Sequence, residues 1–264
     1  MGSRLYLVLS IGLGLLLLAG CGAQRSVSDD DIRPGSKAHQ VQAFTNLGRV
    51  LLSQGELASA LVQLSRAEAM DPQNADVLTL LGMTYYSRQD YQTALNYLQR
   101  ALSVDPSKTE IHNNIGLVYL ELKQFDQAKQ EFDICLKEPT YPNPHLPLLN
   151  LGQLAEVQGD LARAEDYYRR IISINPQYSV SYFRMARIFD QRSDVKQATD
   201  YLLNAIRLNP NYVDALYLLG QVYEKRSMKD ESAEAYGRVV VLVPNTPLAM
   251  DAQRRARRVL GFEQ

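Results

Sequence analysis

From Val41 onward the apolar side chains recur every three or four residues, in runs broken by short polar turns. One stretch reads Leu78, Leu81, Tyr85 and then Ala94, Leu98, Ala101. That spacing draws an apolar stripe along a helix and does not fit strand alternation. The turns that interrupt it are Ser53-Gln54-Gly55-Glu56, Ser87-Arg88-Gln89-Asp90 and Val157-Gln158-Gly159-Asp160. The pattern predicts paired amphipathic helices along most of the chain.

The pairs repeat. Gly48, Gly82 and Gly116 are 34 residues apart, Gly152 follows after 36, and Ala186 and Gly220 resume the spacing of 34. Twelve residues after each stands Ala60, Ala94, Ala128, Ala164, Ala198 or Ser232. Small side chains at both places let two helices approach closely where they cross. Pro72, Pro106, Pro176, Pro210 and Pro244 recur in step, and each forces the residue before it out of the α region, ending a second helix. Asp71, Asp105, Asn175 and Asn209, which precede four of them, favour turns. A period of 34 with these marks resembles the tetratricopeptide repeat. The expected fold is an all-α superhelical solenoid of about six helix pairs, in units 41–74, 75–108, 109–144, 145–178, 179–212 and 213–246. A capping helix follows within 247–264, where Ala249, Ala252, Ala256, Val259 and Leu260 form one stripe with the arginines 254, 255, 257 and 258 on other faces.

The first twenty residues differ in kind. Arg4 precedes an uncharged run from Leu5 to Ala19, too short for a membrane span of ~20 residues and suited to the core of a signal peptide. The run ends Leu18-Ala19-Gly20-Cys21, which resembles the lipobox of bacterial lipoproteins. The resemblance implies cleavage before Cys21 and acylation (palmitate among the chains) of that residue. Several buried acyl chains, at ~0.8 kcal/mol per CH₂, make a lasting anchor. Residues 21–40 then read as lipidated cysteine and flexible tether: Gly22 to Lys37 is polar, aperiodic and carries Asp29, Asp30 and Asp31. Sixteen residues at ~5–6 Å × √n would hold the fold about 20–25 Å from the bilayer. Gly22 after the cysteine, in place of the Asp that retains enterobacterial lipoproteins, resembles outer-membrane cargo.

Composition narrows the function. The formal charge is −1, without the basic excess a nucleic-acid surface needs. Of two cysteines, Cys21 goes to lipid, leaving Cys135 as a small buried thiol in a repeat slot that Ala67, Ala101 and Ala205 fill elsewhere. His39, His112 and His145 form no metal or catalytic spacing; His112 falls on a repeat core position and His145 in a Pro-rich loop. The sequence therefore predicts no enzyme, no metal, no cofactor and no small-molecule substrate. The excess of tyrosine, 16 against 6 Phe, reads as packing: Tyr85, Tyr119 and Tyr223 share one repeat position.

By the family resemblance, the first helices of the units line a concave face. The inward positions are then Thr79, Met83 and Tyr86; Asn113, Leu117 and Leu120; Leu146, Leu149, Gln153 and Glu156; Phe183 and Arg187. Such a face suits an amphipathic helix or short apolar peptide of a protein partner.

One irregularity narrows the resemblance. Two residues are inserted between units three and four, within Pro139-Thr140-Tyr141-Pro142-Asn143-Pro144-His145-Leu146-Pro147. With Asn113-Asn114-Ile115-Gly116 before it and Asn150-Leu151-Gly152 after it, this resembles the pilotins, type IV pilus lipoproteins that assist secretin assembly. Ile115, Leu120 and Leu154 depart from that pattern. The resemblance implies a lipid-anchored scaffold on the periplasmic side of the outer membrane, with a secretin subunit or pilus assembly protein as partner. A general envelope adaptor, for example one recruiting peptidoglycan enzymes, is the alternative.

Overall fold

A computed structural model of the chain describes residues 35–262. The leader, Cys21 and the tether as far as residue 34 lie outside them. Among the described residues there are α-helices and no strand. The helices come in pairs, each with a first (A) and a second (B) member. They are α1 (Lys37–Ser53) and α2 (Leu57–Met70), α3 (Ala75–Ser87) and α4 (Tyr91–Val104), and α5 (Thr109–Glu121) and α6 (Phe125–Lys137). The series continues with α7 (His145–Val157) and α8 (Leu161–Ile174), α9 (Ser179–Gln191) and α10 (Val195–Leu208), α11 (Val213–Lys225) and α12 (Lys229–Leu242), and closes on α13 (Pro247–Val259). Helix α1 starts at Lys37, so the last residues assigned to the tether are already helical. The compact body begins at Val41, and within it each B helix packs on the next A helix.

The local rules that build a unit are visible at fixed places. The fifteenth residue is left-handed in every A–B turn: Gly55 and Gly159 in two units, Gln89, Lys123, Ser193 and Ser227 in the others. The next residue opens the B helix, and where it is Asp its carboxylate caps it: Asp90 accepts from the Thr93 amide, Asp160 from Arg163 and Asp194 from Gln197. B helices end before proline, with Asp71 and Asp105 out of the helical region, φ −137° and −135°. Gly261 is left-handed at the fifteenth residue counted from Pro247. Helix α13 thus ends as an A helix does, and it stands as the first half of a seventh unit.

Packing within a unit centres on the crossing of A and B. The glycine at the eighth residue faces the side chain at the twenty-fourth: Gly48 meets Leu64, Gly82 meets Leu98, Gly116 meets Phe132, Gly152 meets Tyr168 and Gly220 meets Tyr236. A Cβ on Gly116 would come 2.5 Å from the Phe132 ring. All five partners are fully buried. Burial of this kind is worth roughly 1.5–3 kcal/mol per large side chain.

The insertion between α6 and α7 is non-helical through Pro142, as its prolines predict. Across it α7 packs on α6 and also on α5. Tyr141 turns inward and is buried. Pro147 lies in the first turn of α7, where a missing amide costs no helical bond. His145 is the first residue of α7, not a loop residue, and its ring lies 5.0 Å from that of Tyr178.

Helix α13 buries Ala249 and Ala252, half-buries Ala256 and Val259, and leaves Leu260 exposed beyond its end. Its arginines are not all turned away from the fold. Arg255 and Arg258 reach back to Glu224 of α11 at 3.1 and 2.6 Å, and Tyr217 of α11 donates to Asp251.

Candidate protein-binding groove

The A helices carry the face that the repeat count marks as inward. Thr79 is half-buried and its hydroxyl returns to the Ala75 carbonyl at 2.7 Å, so it presents a methyl group and no free donor. Met83 and Leu146 are half-buried and belong to none of the core clusters. Tyr86 lies beside Tyr91, ring centres 5.8 Å apart, and both hydroxyls donate to Glu121, at 3.4 and 3.2 Å. Burial, with Glu121 adding to it, pushes the Tyr86 hydroxyl up to about 12.

Leu117 and Leu120 lean on the cluster of Ala128, Phe132 and Leu151, and Leu149 and Phe183 lean on the large core of the later units. These four are therefore edges of the core with one flank in the groove. Phe183 also meets the ring of Tyr212 at 5.0 Å. Gln153 is half-buried. Asn113 is buried, and its side-chain oxygen accepts from the Asn150 amide at 3.2 Å. Two motif asparagines from successive units thus satisfy one another across the insertion. Two buried amides without partners would each cost about 1–3 kcal/mol.

Arg187 stands 3.8 Å from Glu156, which also faces Arg184 at 3.5 Å and accepts from the Tyr168 hydroxyl at 2.5 Å. Burial first, then the bond to Glu156, pushes the Tyr168 hydroxyl far above its ordinary range. Beyond Arg187 a hollow of about 450 Å³ opens between α9 and α11, lined by Phe183, Arg184, Asp214 and Tyr217 among others. Its polar wall was missed by counting inward positions only as far as Arg187. Carrying the count into the sixth unit gives Asp214, Tyr217, Gln221 and Glu224, three of which line this hollow. Thr79, Met83, Leu117, Leu120, Leu146 and Leu149 thus give the face an apolar part on α3, α5 and the start of α7, and a charged part begins at Glu156 near the end of α7 and continues along α9, α11 and α13.

Two residues singled out in the sequence have other settings. Cys135 is buried and donates to the Thr109 carbonyl at 3.4 Å, and burial pushes its thiol up to about 12. His112 is not packed in the apolar core. Its Nδ1 lies 2.6 Å from Glu131 of α6, in a half-buried pair between helices. Among the described residues no group of three or more His, Cys, Asp or Glu is placed to hold a metal ion. Nor is any described helix long and apolar enough to cross a membrane.

A family model described as TPR repeat matches residues 48–87 and 82–123, and one described as tetratricopeptide repeat matches 114–179 and 183–249. The chain belongs to the tetratricopeptide repeat family. Repeats of this family mediate protein–protein interaction. No curated protein matches the sequence. Among solved structures, PilW, a type IV pilus biogenesis factor, is 22% identical with a TM-score of 0.69, over 80% of this chain and 97% of that one. PilF of Pseudomonas aeruginosa is 21% identical with a TM-score of 0.68, over 83% and 98%. A chain of the APC/C hetero-tetramer Cut9–Hcn1 is 16% identical with a TM-score of 0.68, over 87% of this chain and 45% of its own. These likenesses establish the fold.

Proposed function

We propose that this tetratricopeptide repeat protein is a lipoprotein of the outer membrane, anchored through Cys21 on the periplasmic face. There it binds a type IV pilus secretin subunit, or another pilus assembly protein, and helps it assemble or reach its place. The observation that carries the reading is the junction of units three and four. The motif residues that resemble the pilotins close into one structural element: Asn113 bonds to Asn150, Tyr141 is buried, and Pro144 stands at the N-cap of α7. A generic repeat has no need of such a junction. The fold shared with PilW over 97% of that chain supports it, as does the Leu-Ala-Gly-Cys sequence before the tether. The repeats account for nearly all the sequence after the tether and supply a scaffold, so the chain acts by binding and not by catalysis.

The test is a strain lacking the gene, complemented with the natural chain or with Cys21→Ala. Envelope fractionation with acyl labelling and detection of secretin multimers are the readouts. The natural chain should label, fractionate with the outer membrane and restore multimers. The variant should do none of these while still folding. Secretin multimers that form equally well without the chain would sink the secretin reading, and normal membrane retention of Cys21→Ala would sink the anchor.

A further inference from the structure

The repeat supplies its own internal control for the charged part of the groove. Units four and six both place Tyr at the twenty-fourth residue, Glu at the twelfth, and Arg at the ninth residue of the unit that follows: Tyr168, Glu156 and Arg187, against Tyr236, Glu224 and Arg255. The second set is closed. Tyr236 donates to Glu224 at 2.9 Å, Arg255 meets Glu224 at 3.1 Å and Asp251 at 2.9 Å, and Arg258 meets Glu224 at 2.6 Å. The first set is open. Arg184 and Arg187 stand 3.5 and 3.8 Å from Glu156, at or beyond the edge of hydrogen-bond reach, and the Nε of Arg184 has no partner.

The difference has two causes in sequence: Arg258, the twelfth residue counted from Pro247, stands where unit five has Asp190, and Asp251 stands where it has no acid. Asp251, which completes Arg255, is the fifth residue counted from Pro247. The fifth residue of unit five is Phe183. The other carboxylates nearby do not take Asp251's part: Asp190 is held by Lys225 at 2.5 Å, and Asp214, in the first turn of α11, pairs with neither arginine. Guanidinium groups bind carboxylates in a planar, two-pronged geometry, and each such charge-assisted bond is strong.

We propose that Arg187 and Arg184 receive an acidic side chain of an extended segment in the partner protein, and that a large apolar residue next to it rests on Phe183 and Tyr217. The segment would supply from outside the carboxylate that Asp251 supplies from within. This rests on the A-helix face being the binding surface and does not depend on which protein the partner is.

The test is selection of peptides from a random dodecapeptide library displayed on phage, against the full chain in detergent, with the affinity of the selected peptides then measured as synthetic, C-terminally amidated molecules. Asp or Glu beside an aromatic or large aliphatic residue should dominate the selection. Changing that acid to its amide, or Arg187→Gln in the protein, should weaken binding by about tenfold or more. Phe183→Asp should weaken it similarly, by giving Arg187 the internal partner that Arg255 has. Folding of each variant is checked by circular dichroism. Met83→Asp with Leu146→Asp probes the apolar part. If that pair abolishes binding while Arg187→Gln and the amide change do nothing, the carboxylate inference fails and the groove stands. If no variant matters, or no peptide is selected, both fail. Peptides that bind only with a free C-terminus would also overturn it.

Discussion

At the eighth and twenty-fourth residues of a unit, a single methyl group decides whether two helices can cross. In unit five Ala186 replaces the glycine, and Leu202 stands where units four and six carry tyrosine. Gly152→Ala alone would push its new Cβ well inside contact with the Tyr168 ring, which is fully buried and cannot yield at its tip. It should destabilise the fold by about 1–3 kcal/mol, as overpacking does. Gly152→Ala with Tyr168→Leu reproduces the pairing of unit five and should recover part of that loss in urea melts. Recovery is incomplete because the bond to Glu156 goes with the ring hydroxyl. Cys135 offers a second check at this scale. Its thiol stays protonated at neutral pH, because burial in the unit-three core disfavours the thiolate. Iodoacetamide at pH 8 should leave it unmodified in the native chain and alkylate it in denaturant. Fast labelling of native protein would show that the core breathes there.

Helix α13 is the element whose stability depends most plainly on charge. Its Asp251 carboxyl is held well below the ordinary range by the Tyr217 hydroxyl, then by Arg254, with Arg255 adding to both. Glu224 is also lowered, since bonds from Arg258, Tyr236 and Arg255 outweigh the burial that would raise it. A depressed folded-state value means that the stabilisation is complete above the unfolded pKa, near ~4, and fades as pH falls below it. Limited proteolysis should therefore release α13 from the rest of the chain at about pH 3 and leave it protected at pH 7. Equal protection at both would refute the clamp. The same helix shows what could be read beforehand. Its apolar stripe follows from spacing, and so do the small residues at each helix crossing, because steric fit repeats in register; the rings of Phe132, Tyr168 and Tyr236 over the glycines do not. The ion pairs could not be read that way. Glu224 joins residues 12, 31 and 34 positions distant, and a long polar side chain has several faces to choose from. For the same reason the tyrosines looked like packing groups, while Tyr168 and Tyr236 also deliver their hydroxyls to glutamates on the A-helix face.

For the molecule as a whole, the groove changes character along its length, apolar from α3 to the start of α7 and charged from Glu156 through α9 to α13. The apolar part was legible in sequence, because aliphatic residues at inward positions stand out against a polar turn pattern; of the charged part the count reached Glu156 and Arg187, whereas Arg184 lies outside the counted positions. Leu117 and Leu149 lean on the core with one flank, so changing both to Asp should lower stability as well as binding. Thermal melting alongside titration of the partner separates the two losses. A large fall in affinity at a temperature where the variant remains folded supports the groove. Unchanged affinity in the folded variant points to another face.

The uneven ends of the stack have a consequence for how it comes apart. Each unit touches chiefly its neighbours, so order is lost like a zipper, from whichever terminus is the weaker fastening. The α11–α13 end is bolted by Glu224 and Asp251. Both ends expose apolar side chains, Leu47, Val50 and Val62 at one and Val241 and Met250 at the other, but among the described residues no ion pair ties α1 to α2. Opening should therefore travel one way, from the first unit toward the last. Amide hydrogen exchange read helix by helix would display it as a gradient, fastest in α1 and α2 and slowest in α11 and α12. A stack that unzips from its first unit leaves the charged part of its groove intact the longest.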